Sequence, residues 1–208
     1  MRIEIEVMTD NLPYEELFDV MLAAFEERRQ QGLNFQCLRI NLDDFIDGEN
    51  GKSVSIARDC DMNDKVVGFQ NVWIQDDHAV SGLIAIHPEY KRKGIGLMLF
   101  QKTQEFAVKN GISFLTASTA VNAKSSVNWH LKNGFRIVEL VSWPNTNYYS
   151  YNFRKQLVPD AKWDNPLYCK LQYWKSAIRC RMYHLENGED RKSKWLDLYK
   201  KLRGIPSE

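Results

Sequence analysis

The chain has 208 residues, of which 44% are hydrophobic, 26% charged and 12% aromatic; this is enough for one domain with an appendage, or two small ones, and for a core without disulfide or metal staples. Mean hydropathy is −0.47 and no apolar run nears the roughly 18 residues of a membrane span, which excludes an integral helical membrane protein. Lys and Arg total 28 against 27 Asp and Glu, but 13 basic and 7 acidic residues lie from Ser150 onward, so the tail is basic and the rest acidic. The N-terminus, MRIEIEVMTD, lacks the apolar stretch of a secretory signal. Cys37, Cys60, Cys169 and Cys180 form no CxxC pair and have no histidine at ligand spacing. Four reduced thiols in a cytoplasmic protein, and no metal site, are expected.

Arg2 to Val7 alternates charged and aliphatic residues and predicts a strand with one buried face. Leu12-Pro13 opens a helical pattern carrying Leu17, Met21, Ala24 and Phe25 on one face, ending near Gly32. Asn34–Lys52 is acidic and reads as an irregular loop. Ser53–Ala57, Val66–Ile74 and Ala79–Ile86 read as three strands whose short polar gaps imply antiparallel pairing. A helix follows over Gly94–Lys109, closed by Asn110-Gly111. Next come a short strand at Ile112–Leu115, a helix over Asn122–Asn133, and strands at Phe135–Val141 and Tyr148–Phe153. This order predicts an α/β fold with a mixed, mostly antiparallel sheet flanked by helices. From Asp160 the pattern becomes helical, with Leu167, Leu171, Trp174, Ile178 and Met182 at helical spacing, a polar break at Glu186–Lys192, and a last helix carrying Trp195, Leu198, Tyr199 and Leu202. The expected division is a domain over 1–157 and a basic, aromatic helical extension over 158–208.

The stretch Ile84-Ala-Ile-His-Pro-Glu-Tyr-Lys-Arg-Lys-Gly-Ile-Gly-Leu-Met-Leu99 carries the chemistry. A strand runs into Pro88, then into a basic turn (Lys91, Arg92, Lys93), then into Gly94-Ile95-Gly96-Leu97 at the head of a helix. Glycines allow close backbone approach. The first amides of a helix lack internal partners and point outward, and the helix dipole favours an anion there. The plainer reading is a glycine turn beside solvated charge. The ordered co-occurrence of all five features favours a diphosphate cradle.

Pro88-Glu-Tyr-Lys-Arg-Lys-Gly-Ile-Gly96 resembles the acyl-CoA-binding motif of GNAT acetyltransferases, Q/R-x-x-G-x-G/A, with Lys91 where Arg or Gln is usual. Leu131-Lys-Asn-Gly-Phe135 resembles the family's Y-x-x-x-G-F segment, and the likeness spans roughly residues 1–153. It implies a GNAT-like sheet in which two neighbouring strands splay, here Ala79–Ile86 and Ile112–Thr116. The pantetheine arm of acetyl-CoA, the co-substrate, would pair with backbone at Ala85 and Ile86. The pyrophosphate would sit on the amides of Lys91, Arg92, Lys93, Gly94, Ile95, Gly96 and Leu97. Asn122 would either bond the arm or be a plain helix N-cap.

The same resemblance implies direct attack of an acceptor on the thioester, without a covalent enzyme intermediate. Its leaving-group acid, counted back from Gly134, falls on His130; counted forward from Asn122 it falls on Trp129. His130 is taken as the candidate, against the reading that it simply packs inside the helix. Asp77, in the turn with Asp76 before the last strand of the meander, is the candidate general base. His87 is a weaker candidate, the acidic Asp43, Asp44 and Asp47 could bind a cationic acceptor, and each of these is more often a surface group. Tyr148, Tyr149 and Tyr151 read as core and rim packing. The tail, with Trp163, Tyr168, Tyr173, Trp174, Tyr183, Trp195 and Tyr199, could stack nucleic acid or lie on an anionic membrane through Lys170, Lys175, Arg179 and Arg181. Burial of its Trp/Leu stripe against the main domain or a second subunit is the favoured reading, and it admits a homodimer. The tail also resembles those of acetyltransferase-like proteins in bacterial surface-polysaccharide pathways. The expected activity is acetyl transfer from acetyl-CoA to a primary amine of a small molecule, an amino sugar among them. The alternatives are a CoA-binding module without catalysis and an O-acyltransferase.

Overall fold

The computed structural model describes residues 1–30, 32, 35–143, 146–159, 165–186, 189–192, 198, 201 and 202. Seven strands form one mixed sheet in the order β1-β2-β3-β4-β5-β7-β6, and the chain divides into two compact units, Met1–Ala117 with Gln156–Ala161, and Ser118–Lys155 with Lys162–Glu208.

In the first unit β1 (Ile3–Met8), β2 (Ser53–Asp59), β3 (Lys65–Gln75) and β4 (His78–Ile86) pair antiparallel in succession. Helix α1 (Tyr14–Gln30) packs on one face with α2 (Leu42–Glu49). Their Leu17, Val20, Met21 and Phe45 are buried against Val54, Ile56 and Phe69. On the opposite face Ile95 and Leu99 of α3 (Ile95–Lys109) pack with Ala57, Val67 and Tyr90. Each large apolar side chain sealed in these layers is worth about 1.5–3 kcal/mol.

Helix α2 occupies the segment expected to be an irregular loop. Its start is set by a reciprocal cap: the Asp44 amide donates to the Asn41 side chain at 2.8 Å and the Asn41 amide to the Asp44 carboxylate at 3.4 Å. Composition hid this cap, because four acidic residues in a short window, Asp43, Asp44, Asp47 and Glu49, read as surface.

β4 carries a bulge. Gln70 opposes Ile84 but Val72 opposes Ser81, so Asn71 alone faces both Gly82 and Leu83. β5 (Phe114–Ala120) is longer than the expected Ile112–Leu115 and joins β4 in parallel, at Ala79↔Leu115 and Val80↔Thr116 only. From Ser81 onward the outer edge of β4 has no strand partner on that side among the described residues, in keeping with the splay that the resemblance implies.

In the second unit α4 (Lys124–Lys132) precedes the antiparallel pair β6 (Arg136–Ser142) and β7 (Tyr149–Gln156). Helix α5 (Pro166–Met182) lies on β6, where the Leu140 amide donates to Ser176 Oγ at 2.9 Å. The stripe expected to bury does not: Leu167, Leu171, Trp174, Ile178 and Met182 are 40–64% exposed, while Cys169, Ser176 and Ala177 are buried. Small residues allow the helix to approach the strand closely, so the bulky face is the one left outside. The expected polar break is a hairpin of β8 (Tyr183–Glu186) and β9 (Glu189–Lys192). Trp163, Trp195 and Tyr199 lie outside the described residues; Leu198 and Leu202 are helical. No helix among the described residues is long and apolar enough to cross a membrane.

Candidate functional site

The turn between β4 and α3 is built from alternating backbone signs. After a 3-10 turn at Pro88–Tyr90, Lys91 has φ −60°, Arg92 +64° and Gly94 +83°, and helix α3 begins at Ile95. Lys91 is extended, with ψ 150°, and the left-handed backbones of Arg92 and Gly94 turn the chain so that a nest of open N–H groups is left at the head of α3, where an anion is favoured. The amides of Arg92, Lys93, Gly94, Ile95 and Gly96 have no partner among the described residues. Two of the seven expected amides are already used: Lys91 donates to the Pro88 carbonyl at 3.2 Å and Leu97 to that of Gly94 at 3.0 Å. The cradle is therefore the five amides between them.

The two glycines serve different ends. Gly94 has open space for a Cβ but a left-handed backbone, whereas a Cβ on Gly96 would sit 3.1 Å from Ile86 Cδ1. Gly96 thus lets the first turn of α3 lie close to β4. Arg92 adopts a left-handed conformation without being glycine, a strain of order 1–2 kcal/mol that the surrounding turn holds in place. Lys91 and Arg92 are exposed beside the nest, and Lys93 Nζ lies 4.6 Å from the centre of the Tyr90 ring. Tyr90 is buried, and its hydroxyl donates to Asp59 at 3.0 Å, anchoring the turn to β2. Burial, then the Asp59 carboxylate, hold the Tyr90 pKa above its ordinary value.

The free edge of β4 can be resolved residue by residue. The His87 amide donates to the Val67 carbonyl at 2.9 Å, which makes that pair a hydrogen-bonded one. In an antiparallel ladder such pairs alternate. Ala85, opposite Phe69, is then bonded to β3, while Ile86 and Ile84, opposite Gly68 and Gln70, turn their amides and carbonyls outward. Of the expected arm contacts, Ile86 is available; Ala85 is a core residue, 1% exposed, with its backbone committed to β3, and Ile84 is the other residue whose backbone faces outward.

The expected proton-transfer residues are placed differently. Asp77 is at the tip of the β3–β4 hairpin with its side chain 83% exposed, 3.1 Å from His78. The paired stretch of Ala79 and Val80 lies between it and the splayed edge, so the structure does not bring Asp77 to the site. His130, in the second unit, is 7% exposed and stacks on Phe153 at 4.7 Å, with Phe135 and Trp129 edge-on at 5.1 and 5.2 Å. Its Nδ1 is 2.8 Å from the Ser126 carbonyl, which can only accept, so Nδ1 carries the proton. Desolvation lowers the His130 pKa, opposed in part by that bond, and favours the neutral ring. A neutral ring whose proton is held by the backbone has none to offer at Nε2; the packing reading fits His130. Asn122 is exposed and is not the N-cap of α4, a place Ala123 takes without a side-chain bond.

One buried polar cluster of the first unit escaped sequence reasoning. Asp43, Asp44 and Asp47 of α2 are exposed, but Glu49 is 5% exposed and receives Asn71 Nδ2 on both carboxylate oxygens at 2.7 Å. Lys52 Nζ lies 3.2 Å from Glu49 and 4.8 Å from the centre of the Trp73 ring. Asn71 Oδ1 is buried without a partner. A Cβ on Gly82 would come within 2.1 Å of that oxygen, so the cluster abuts the bulge of β4. The legible signal was the Asn41-x-x-Asp44 cap, which places a helix here and Glu49 at its end. No group of metal-ligating side chains occurs among the described residues.

The Acetyltransferase (GNAT) family model matches residues 14–135 of this chain. The amino-acid acetyltransferase of Pasteurella multocida (strain Pm70) is 26% identical over 86 residues, 41% of this chain but only 19% of that protein. The fold is similar to the ribosomal-protein-S18-alanine N-acetyltransferase of Escherichia coli, with TM-score 0.62 and 13% identity over 78% of this chain and 100% of that one. It is also similar to the PaiA N-acetyltransferase of Thermoplasma acidophilum, solved with coenzyme A, with TM-score 0.59 and 18% identity over 75% and 99% of the two chains.

Proposed function

Because this chain belongs to the GNAT acetyltransferase family, we propose that it moves an acetyl group from acetyl-CoA to a primary amine of a small molecule, an amino sugar among the candidates, by direct attack in a ternary complex. The observation that carries the reading is the nest of five unpartnered amides at Arg92–Gly96, continuous with the unpaired edge of β4. A diphosphate suits the nest, which supplies preset donors, a helix N-terminus and the nearby charges of Lys91 and Arg92. An extended amide-bearing arm suits the outward backbone of Ile86 and Ile84. Together these fix one reactant along a rigid strand, and such positioning is a large part of the acceleration a two-substrate transfer needs.

In the transfer the neutral amine nitrogen bonds to the thioester carbonyl carbon, the C–S bond breaks, and the proton shed by the nitrogen balances the departing thiolate. With Asp77 at an exposed tip and the His130 proton held by a carbonyl, solvent is the proton carrier this reading invokes. A thiolate is a stable enough leaving group for that. The cytoplasm is the setting the reading implies, and Cys37, Cys60 and Cys169 are in no disulfide.

The test is release of free thiol from acetyl-CoA, followed while primary amines and matched alcohols are added. Acceleration by amines supports the reading, and acceleration by alcohols alone makes the chain an O-acyltransferase. Calorimetric uptake of CoA with no accelerating acceptor makes it a CoA-binding module, the alternative that the displaced Asp77 and His130 favour. No uptake of CoA by folded protein overturns all three.

A further inference from the structure

The buried Glu49 cluster has features that a plain internal ion pair does not require. Removing a carboxylate from water is costly, and hydrogen bonds from Asn71 to both oxygens offset part of that cost. The remaining charge is met by one ammonium, that of Lys52, at 3.2 Å. That ammonium lies beneath the Trp73 indole, and Asn71 Oδ1, an acceptor with no donor, is buried in the same cluster. An anion and an aromatic face are groups that recognise a primary ammonium, while Asn71 Oδ1, turned toward Gly82, makes no bond to that of Lys52.

The place matters as much as the chemistry. Lys52 and Trp73 also line an open cleft of about 540 Å³, so the ammonium position borders space that a small molecule can enter. Lys52 keeps 22% of its side chain exposed and can swing outward without disturbing the sheet. On the inner side Asn71 presses on Gly82, in the bulge where β4 parts from β5. The free edge that leads back from the amide nest ends there.

We propose that Glu49, Asn71 and Trp73 form the seat of the acceptor's ammonium group, that Lys52 fills this seat until an acceptor displaces it, and that the seated ammonium gives one proton to solvent before its neutral nitrogen attacks the thioester. The inference rests on the acetyl-transfer reading and narrows its acceptor to small amines that arrive as cations. Lys52 is then an internal competitor, so removing it improves acceptor binding, whereas breaking a purely structural ion pair would not.

The experiment compares n-butylamine, a cation at neutral pH, with methoxyamine, which is uncharged there, in the thiol-release assay. Glu49→Gln is expected to raise KM for n-butylamine at least tenfold and to leave KM for methoxyamine and the Kd of acetyl-CoA within twofold. Lys52→Met is expected to lower KM for n-butylamine three- to tenfold. If both variants leave the n-butylamine KM unchanged, or move both amines alike, the cluster is structural and the proposal fails while acetyl transfer stands. Should Glu49→Gln not fold, the Lys52→Met result decides. If no amine accelerates thiol release in the parent protein, the acetyl-transfer reading fails by itself. Calorimetry of n-butylammonium with CoA-loaded parent and Lys52→Met then judges the seat, with tighter uptake by the variant supporting it and equal or absent uptake overturning it.

Discussion

The two compact units differ in how they handle polar groups. In the first, five successive amides stand open at Arg92–Gly96, Arg92 is left-handed, and Ser53, Ser55, Gln70 and Asn71 each keep a buried side-chain oxygen without a partner. In the second, the buried ring of His130 donates to Ser126, Ser176 accepts from Leu140 while donating to Tyr173, and the Lys155 ammonium donates to Asn133 at 2.7 Å. Buried polar groups are normally satisfied, so a region that leaves them open is arranged for something other than its own stability. On the proposed reading the first unit handles the cofactor, while the bonds named in the second serve its own packing.

Four measurements test this contrast. The largest expected effect is Phe153→Ala, which removes the ring under His130 and costs about 3–5 kcal/mol in denaturant melts; a comparable loss of CoA affinity in the protein that remains folded would break the division. Gly94→Ala forces a side chain onto φ +83° and is expected to weaken CoA binding about tenfold by calorimetry, with a smaller change in melting temperature. Ser176→Ala leaves the Leu140 amide without its acceptor, at about 1 kcal/mol, read as faster hydrogen exchange at that amide. The smallest effect at neutral pH is the titration of His130. Its folded pKa lies below the ordinary 6.5, so as pH falls through 6.5 the unfolded chain takes up a proton that the folded chain refuses. Stability is full above that pH and declines below it toward the folded pKa. Stability measured against pH should lose this slope in His130→Phe; an unchanged slope would deny that the ring is held neutral.

The strand meander, the helix after Gly94 and the anion turn were legible because each has a local cause: alternation, periodicity, or glycine at a left-handed position. The edge choice between Ala85 and Ile86 was not, since it depends on which ladder pairs are bonded, a fact set by His87 and Val67 across the sheet. Residue counting could single out His130 but not reveal that Ser126 holds its proton. The seat at Glu49 needed contacts across 22 positions, between Glu49 and Asn71, which no window of sequence displays. The α5 stripe misled for a physical reason: hydrophobic size predicted burial, whereas closeness of approach selected Cys169, Ser176 and Ala177.

The bond between Ser176 and Leu140 bears on behaviour in crowded solution. β6 ends the strand order, and a terminal strand invites other chains to add to its rim. Here an extra residue at Val138 kinks the rim and a helix hydroxyl already holds an amide on β6, so an intruding strand would have to evict Ser176 first. At the far border, β1 presents Glu4 and Glu6, each paired with an arginine, Arg2 and Arg58. Addition of a strand is thus opposed at β6 by a kink and an occupied amide, and at β1 by charged side chains along the rim that an incoming strand would have to accommodate.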